Sequence, residues 1–459
     1  MDLRMREVAR ITGGRLSGPD VVVRGVTIDS RRVTGGELFV PIVAARDGHD
    51  FVAHALEAGA AGYLTARPAI GGSAVEVDDP MAALTALGAH ARDRLAGGAG
   101  DPPARVAGTP AAGRVVGITG SLGKTSVKDL LRPALSVRWR TWASLGSFNN
   151  ELGVPLTLAN APADTEALIV EMGARTVGDI AGLCAVARPT IGVVTRVAAV
   201  HSETFGDIGR IERAKGELVE ALPADGTAVL NAADPRVAAM ASRTSARVVT
   251  FGEDGDVRAE CVTLDDALRP GFRIASDWGG VNVRLEARGA HMVGNALAAA
   301  TAALVCGVPL DALPDAFATA ALSPWRMEVV RLPSGAQLIN DAYNANPTSM
   351  DAALRSLAAL PARRRIAVLG YMAELGSGSD DEHRAVGRLA RELGVEVLSV
   401  GVTAYGADTV ASIDEVPAAL GDLGPHDAVL VKASRLAGLE RLAALLDGSR
   451  AEGPSVDGS

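Results

Sequence analysis

The chain has 459 residues, 48% hydrophobic and 22% charged, with a formal net charge of −9. That length exceeds one ordinary core, so two or three domains are expected, and the acidic balance excludes a general nucleic-acid-binding role. No apolar run is long enough for a membrane segment and no signal-peptide pattern follows Met1, so the expected location is cytoplasmic; the three cysteines, Cys184, Cys261 and Cys306, are too far apart for a metal motif and fit a reducing compartment.

Residues 1–108 read as a small α/β domain. Val21 to Arg31 alternates like a strand that runs into a polar loop, Asp29-Ser30-Arg31, and Glu37 to Ile42 is a second apolar strand. Asp47-Gly48-His49 follows, then a helix from about Val52 to Ala58. Both polar triplets suit an anionic ligand, and both also suit plain turn chemistry. The Gly/Ala/Pro-rich stretch from Leu95 to Ala112 reads as a linker.

Residues 109–322 alternate between apolar strands and helices, the pattern of a mostly parallel sheet. The strand ending at Ile118 runs into Thr119-Gly120-Ser121-Leu122-Gly123-Lys124-Thr125, and Ser126 lies in the helix that begins there. With Ile118 standing where the general pattern has its first Gly, and an ordinary strand-to-helix turn as the competing reading, this reads as a phosphate-binding loop. Its glycines let backbone N–H groups reach phosphate oxygens, and the helix N-terminus adds positive dipole. Lys124 suits the outer phosphates and Thr125 a Mg²⁺ ion. Two further strands end at Glu171 and at Thr195, the second followed by His201 in the loop beyond it. In open parallel sheets ligands sit beyond the carboxyl ends of strands, so Glu171 and His201 are candidate metal ligands. Residues 245–288 look like β-rich excursions, and His291 opens an alanine-rich helix in which Asn295 suits an adenine edge or a helix cap.

Residues 323–446 form a third, Rossmann-like α/β unit. Its first expected strand, Gln337 to Asn340, enters the dense polar loop Asp341-Ala342-Tyr343-Asn344-Ala345-Asn346 before a helix. Strands ending at Gly370 and Lys432 stop at further polar loops, and residues 447–459 read as a disordered tail. Lysine occurs at four positions only, Lys124, Lys128, Lys215 and Lys432, in a chain otherwise rich in arginine. Where lysine persists, its compact and titratable ammonium is expected to matter; Lys128 alone is assigned to a solvated face.

These motifs resemble the Mur ligases, ATP-dependent ligases of peptidoglycan precursor synthesis, over nearly the whole chain. The carriers are the loop Thr119 to Thr125, Phe148 to Thr157 with Asn149 and Asn150, Asp341 to Met350, Leu369 to Gly376 with His383, and Val431 to Arg435. Tyr343 to Pro347 is the most specific and points to the branch that adds D-alanyl-D-alanine to a UDP-N-acetylmuramoyl-tripeptide. The resemblance implies a UDP-binding N-terminal domain, a central ATPase domain and a closing C-terminal domain; a monomer is expected because no heptad or exposed apolar helix stands out. It implies that Ser30, Arg31, Asp47, Gly48, His49, Asn149 and Asn150 face the UDP substrate. Thr119 to Ser126, Asn295, Arg326 and Asp341 would hold ATP. Thr125, Glu171, His201 and Lys215, the last carbamylated by CO₂, would hold Mg²⁺. Lys124, Lys215, His201 and Arg326 would carry catalysis, and Tyr343, Asn344, Asn346, Lys432 and Arg435 would line the dipeptide side. Tyr371, Ala433 and Arg196 stand where the family usually has Asp, Gly and Asn, so details of the dipeptide pocket and of one strand-end loop are expected to differ. An alanine at 433 implies that no positive φ is required there. The alternatives are a Mur-type ligase with another amine substrate, such as a diamino acid, and a non-catalytic nucleotide-binding regulator.

Overall fold

The strand Arg114–Thr119 is the axis of the molecule. The computed structural model describes residues 2–96, 114–199 and 202–447. His201, most of the expected linker and nearly all of the expected tail lie outside the described residues. The helix Pro80–Ala96 takes up the first two residues of that linker.

Six parallel strands make the central sheet, in the order Arg247–Phe251, Thr227–Asn231, Ile191–Val194, Arg114–Thr119, Ala167–Glu171, Thr141–Ala143. These are near-continuous apolar runs, as a sheet covered on both faces requires. Alternate side chains go to opposite faces. Val116 and Ile118 pack with the helices Lys124–Ser136 and His291–Val305, and Val115 packs with Asp179–Ala187 and Ile208–Glu220. On Lys124–Ser136, Val127, Leu130, Leu131 and Leu135 are fully buried, each side chain worth roughly 1.5–3 kcal/mol. The helix start is thereby clamped to the sheet. From Arg114–Thr119 the chain fills first one side of the sheet and then the other, so the loop after Thr119 opens at the topological switch point.

The N-terminal unit has a five-stranded sheet in the order Arg15–Ser17, Ala74–Glu76, Gly62–Thr65, Leu38–Phe39, Val26–Thr27. The single strand expected over Val21 to Arg31 is broken into Val22–Arg24 and Val26–Thr27. It breaks at Gly25, where the chain turns against Asn160 of the central unit. Asn160 accepts from Val26 N and donates to Val26 O, at 2.8 and 2.9 Å.

The third unit has the sheet order Glu328–Arg331, Gln337–Asn340, Asp427–Lys432, Arg364–Leu369, Glu396–Val400, Asp408–Val410, with only the first pair antiparallel. Its first strand is therefore Glu328–Arg331, ahead of the one expected. The reading of residues 245–288 as an excursion is also corrected in part. Arg247–Phe251 is the outer strand of the parallel sheet, and the excursion is the antiparallel sheet Arg258–Leu264, Pro270–Ser276, Gly279–Arg284. The α/β architecture in three units is as expected.

Candidate active site

A cleft of about 2420 Å³ is lined by residues of all three units. Its floor is the phosphate loop. Gly120 has φ +139° and a Cβ there would lie 2.0 Å from Thr195 Oγ1; Gly123 has φ +84° and a Cβ would lie 2.4 Å from Asn295 Oδ1. Both positions need glycine for conformation and for space. Ser121 N donates to Arg196 O at 2.7 Å, and Ser121 Oγ and Ala198 N share a 3.0 Å bond. Arg196 thus supports the loop through its carbonyl, a contact indifferent to its side chain.

Lys124 Nζ donates to Gly120 O at 2.9 Å. Burial lowers its pKa, while the Glu171 carboxylate opposes the shift. The Thr125 hydroxyl donates to Glu171 Oε2 at 2.9 Å and accepts from Arg326 Nη2 at 3.0 Å. Asn149 Nδ2 donates to Glu171 Oε1 at 2.8 Å. A buried carboxylate, a hydroxyl, an amide and a guanidinium from four segments therefore meet at the end of the loop. Ser126 is buried beside them.

Lys215 is 2% exposed. Burial, reinforced by the positive charge of Lys124, lowers its pKa to about 7 against the pull of Asp179 and Glu217. Its ammonium lies 6.0 Å from the Phe205 ring centre, and no described carboxylate stands within ion-pair distance. The expectation of a solvated face for Lys128 is corrected. That residue is 3% exposed, with Nζ donating to Ser144 O at 3.1 Å and to Gly146 O.

Arg326 reaches Thr125 from the segment that enters the third unit. Its guanidinium lies 4.2 Å over the Tyr343 ring, and Nε is buried without a hydrogen-bond partner among the described residues. Its neighbours Trp325 and Met327 have φ of 58° and 53°, left-handed values that cost side-chain-bearing residues about 1–2 kcal/mol each. Asp341 Oδ1 accepts from Met327 N at 3.1 Å and Oδ2 accepts from Lys432 Nζ at 2.6 Å. Lys432 also donates to Asn344 O at 2.8 Å. Tyr343 hydrogen-bonds Ser147 across the unit boundary. Arg435 lies 4.3 Å over the Trp325 ring and pairs with Glu440. Asn344 lines the cleft, exposed, while the Asn346 side chain caps the helix Pro347–Ala358 by accepting from Ser349 N at 2.9 Å. Asn295 lies in the first turns of its helix and makes no cap; its side chain faces Gly123.

The N-terminal candidates divide. Arg31 lines the cleft, held by a two-pronged pair with Asp29 at 3.0 Å, and that bond lowers the Asp29 pKa. Asn149 and Asn150 line it too, with Asn150 Oδ1 also accepting from Gly153 N. Ser30, Asp47, Gly48 and His49 are not brought to the cleft. Asp47 caps its own turn, accepting from His49 N at 2.9 Å and His49 Nδ1 at 2.6 Å; His49 Nε2 accepts from Ala66 N at 3.0 Å. Gly48 packs against the Pro41–Ile42 backbone. The bonds of Asp47 and His49 are those of turn chemistry. Residues that the sequence signals do not single out are Arg24, Ser147, Asp179, His291 and Trp325, all on the cleft wall.

Three family models match in sequence order: the Mur ligase catalytic domain over residues 22–92, the Mur ligase middle domain over 118–303 and the Mur ligase glutamate ligase domain over 325–435. The UDP-N-acetylmuramoyl-tripeptide–D-alanyl-D-alanine ligase of Mycobacterium tuberculosis is 41% identical over 96% of this chain and 97% of its own. The chain belongs to the Mur ligase family. The ligase is also similar to the crystal structure of MurF from Acinetobacter baumannii, at 28% identity and a TM-score of 0.86 over 98% of this chain and 99% of that one. MurF from Thermotoga maritima, whose structure holds ADP, matches at 26% identity and 0.78 over 93% and 97%. The ligase thus shares its three-unit frame with enzymes solved independently, one of them with a nucleotide bound.

Proposed function

We propose that this ligase joins D-alanyl-D-alanine to UDP-N-acetylmuramoyl-tripeptide at the cost of ATP, forming one amide bond and releasing ADP and phosphate, a cytoplasmic step of peptidoglycan precursor synthesis. The observation that carries the proposal is the meeting of Lys124, Thr125, Glu171 and Arg326 at one end of a cleft walled by all three units.

A carboxylate is a poor electrophile, so the tripeptide carboxylate first attacks the γ-phosphorus of ATP. An acyl phosphate forms and ADP leaves. Lys124 and Arg326 carry the positive charge that offsets the transferring phosphoryl group. The dipeptide amine then attacks the acyl carbon, and the tetrahedral intermediate collapses with loss of phosphate. Water competes with the amine, so we assign its exclusion to the cleft wall on the third unit's side, which Tyr343, Trp325 and Arg435 line. The bond from Arg326 to Thr125 brings the guanidinium to the phosphate-loop end of the cleft.

The donor chemistry fits Mg²⁺. Glu171 and Thr125 supply oxygen, the donor a hard cation takes. Among the described residues no group of three His, Cys, Asp or Glu could hold a metal. Lys215, which lines the same cleft, would add an anionic oxygen as a carbamate, because burial favours the neutral amine that reacts with CO₂. His201 joins this set by resemblance. When bound, Mg²⁺ neutralises phosphate oxygens during transfer.

The test is phosphate release from purified protein given Mg-ATP, the UDP-linked tripeptide and one amine at a time. D-alanyl-D-alanine alone should support release, with the pentapeptide mass as product. Release with a diamino acid instead would keep the chemistry and reassign the amine.

A further inference from the structure

Three of the chain's four lysines, Lys124, Lys215 and Lys432, have a place in the proposed reaction or on the cleft wall where it occurs. The fourth, Lys128, is buried as well and has no part in that chemistry. It lies on the helix Lys124–Ser136, one turn beyond Lys124. From there Nζ donates to the carbonyls of Ser144 and Gly146 and stands 3.3 Å from Asp129 Oδ1. Those carbonyls belong to the turn that leads into Ser147, Phe148 and Asn149. Ser147 meets Tyr343 of the third unit, and Asn149 meets Glu171. Asp129 Oδ2 accepts from Ser323 N at 2.8 Å, three residues before Arg326. Two adjacent side chains on one helix thus tether two separate segments, and each segment delivers a side chain to the Thr125–Glu171 end of the cleft.

We propose that Lys128 and Asp129 are positioning residues that set two walls of the active site against the phosphate-loop helix: Lys128 the substrate-side wall 144–150, Asp129 the entry to Arg326. The assignment rests on the proposed reaction. A compact ammonium suits this place. Its three N–H donors serve two carbonyls and one carboxylate from a point, which a planar guanidinium does not do in the same space. Burial without those partners would be costly, so the lysine and the turn it holds specify each other. The tether also explains why the segment carrying Trp325 and Met327 at positive φ keeps its form: it is fixed upstream at Ser323 and downstream by the Met327–Asp341 bond.

The test is steady-state kinetics on the full chain, after the unsubstituted protein has passed the phosphate-release assay; failure there sinks the reaction, whereas the variants address only the tethers. Lys128→Met keeps the length and removes the donors. It should raise KM for the UDP-linked tripeptide about tenfold or more, the scale of a lost charged hydrogen bond, and leave KM for ATP within about twofold. Asp129→Ala should lower kcat about tenfold with KM for the UDP-linked tripeptide nearly unchanged, and Asp129→Asn, which keeps an acceptor for Ser323 N, should recover most of that loss. A merely structural role would not split the constants in this way. Equal rises in both KM values, or unchanged constants in a folded variant, overturn the proposal. If Lys128→Met does not fold, Lys128→Gln carries the same expectation at smaller size; failure of both to fold makes Lys128 a stability element and overturns the proposal as well.

Discussion

The phosphate-loop end of the cleft and the Asp47-Gly48-His49 loop look alike in sequence: short polar runs with glycine between apolar strands. In the structure they do opposite things. Lys124 and Thr125 follow one parallel strand and Glu171 ends another, and their side chains face the cleft, bonded to partners that line it with them. Asp47 and His49 sit in a unit whose neighbouring strand Leu38–Phe39 is two residues long, and there the turn itself needs their side chains. Where a turn draws on its own polar side chains to satisfy its backbone, those side chains are turned away from the cleft.

Four variants press on that contrast, and the first should show the largest effect. Lys124→Ala should cost about 3–4 kcal/mol of transition-state stabilisation, a fall of roughly 10²–10³ in kcat, while the far-ultraviolet spectrum stays unchanged. Near-normal turnover would remove the loop from the chemistry.

Lys215 comes next. Its neutral fraction grows as pH rises through about 7, so protein stripped of CO₂ should regain activity faster at pH 8 than at pH 6 when the dissolved CO₂ concentration is held equal, and Lys215→Ala should show no such recovery. The linkage runs the same way. Between about 7 and its ordinary value of 10.5 the folded state has lost a proton that the unfolded state keeps, so uncarbamylated protein should gain stability with rising pH over that window. Thermal melts at pH 6.5 and 8.5 in CO₂-free buffer check this; a higher Tm at 6.5 would contradict the burial of an uncharged amine.

His49→Ala should do the reverse of Lys124→Ala. It removes bonds to Asp47 and to Ala66 N and should cost about 1–3 kcal/mol of stability, read by denaturant unfolding, with kcat and both KM values close to normal. A selective rise in KM for the UDP-linked substrate would return this loop to the binding site.

Ala433→Gly should be the smallest. Ala433 is buried and is not among the residues at positive φ, so a glycine there brings no relief and should cost about 0.5–1 kcal/mol through the unfolded chain, with no kinetic change.

Parallel strands are legible in this sequence as apolar runs, and their ends mark Glu171 and the phosphate loop without any structure. The resemblance adds Arg326, which periodicity does not reveal. What stays hidden depends on long-range packing. Gly25 breaks a strand because Asn160 lies against it, and Asn160 stands 134 positions beyond the Val26 it bonds. The strand Glu328–Arg331 follows two residues at positive φ that no local rule would assign to tryptophan and methionine. Lys128 has the sequence setting of a solvated helix turn, because the carbonyls that bury it come from a turn beyond the next strand. Asn346 invites a chemical reading, yet its place before Pro347 already marks a helix cap.

The distribution of lysine has a practical consequence. Reagents that acylate amines usually find many lysines on a protein's outside; here Lys128, Lys215 and Lys432 are each at most 3% exposed, and Lys124 lies on the cleft floor. Beyond the chain's own terminal amine, labelling therefore reads out opening. Modification of Lys124 should report an empty nucleotide site, and modification of the other three should count the moments when the walls around them come apart.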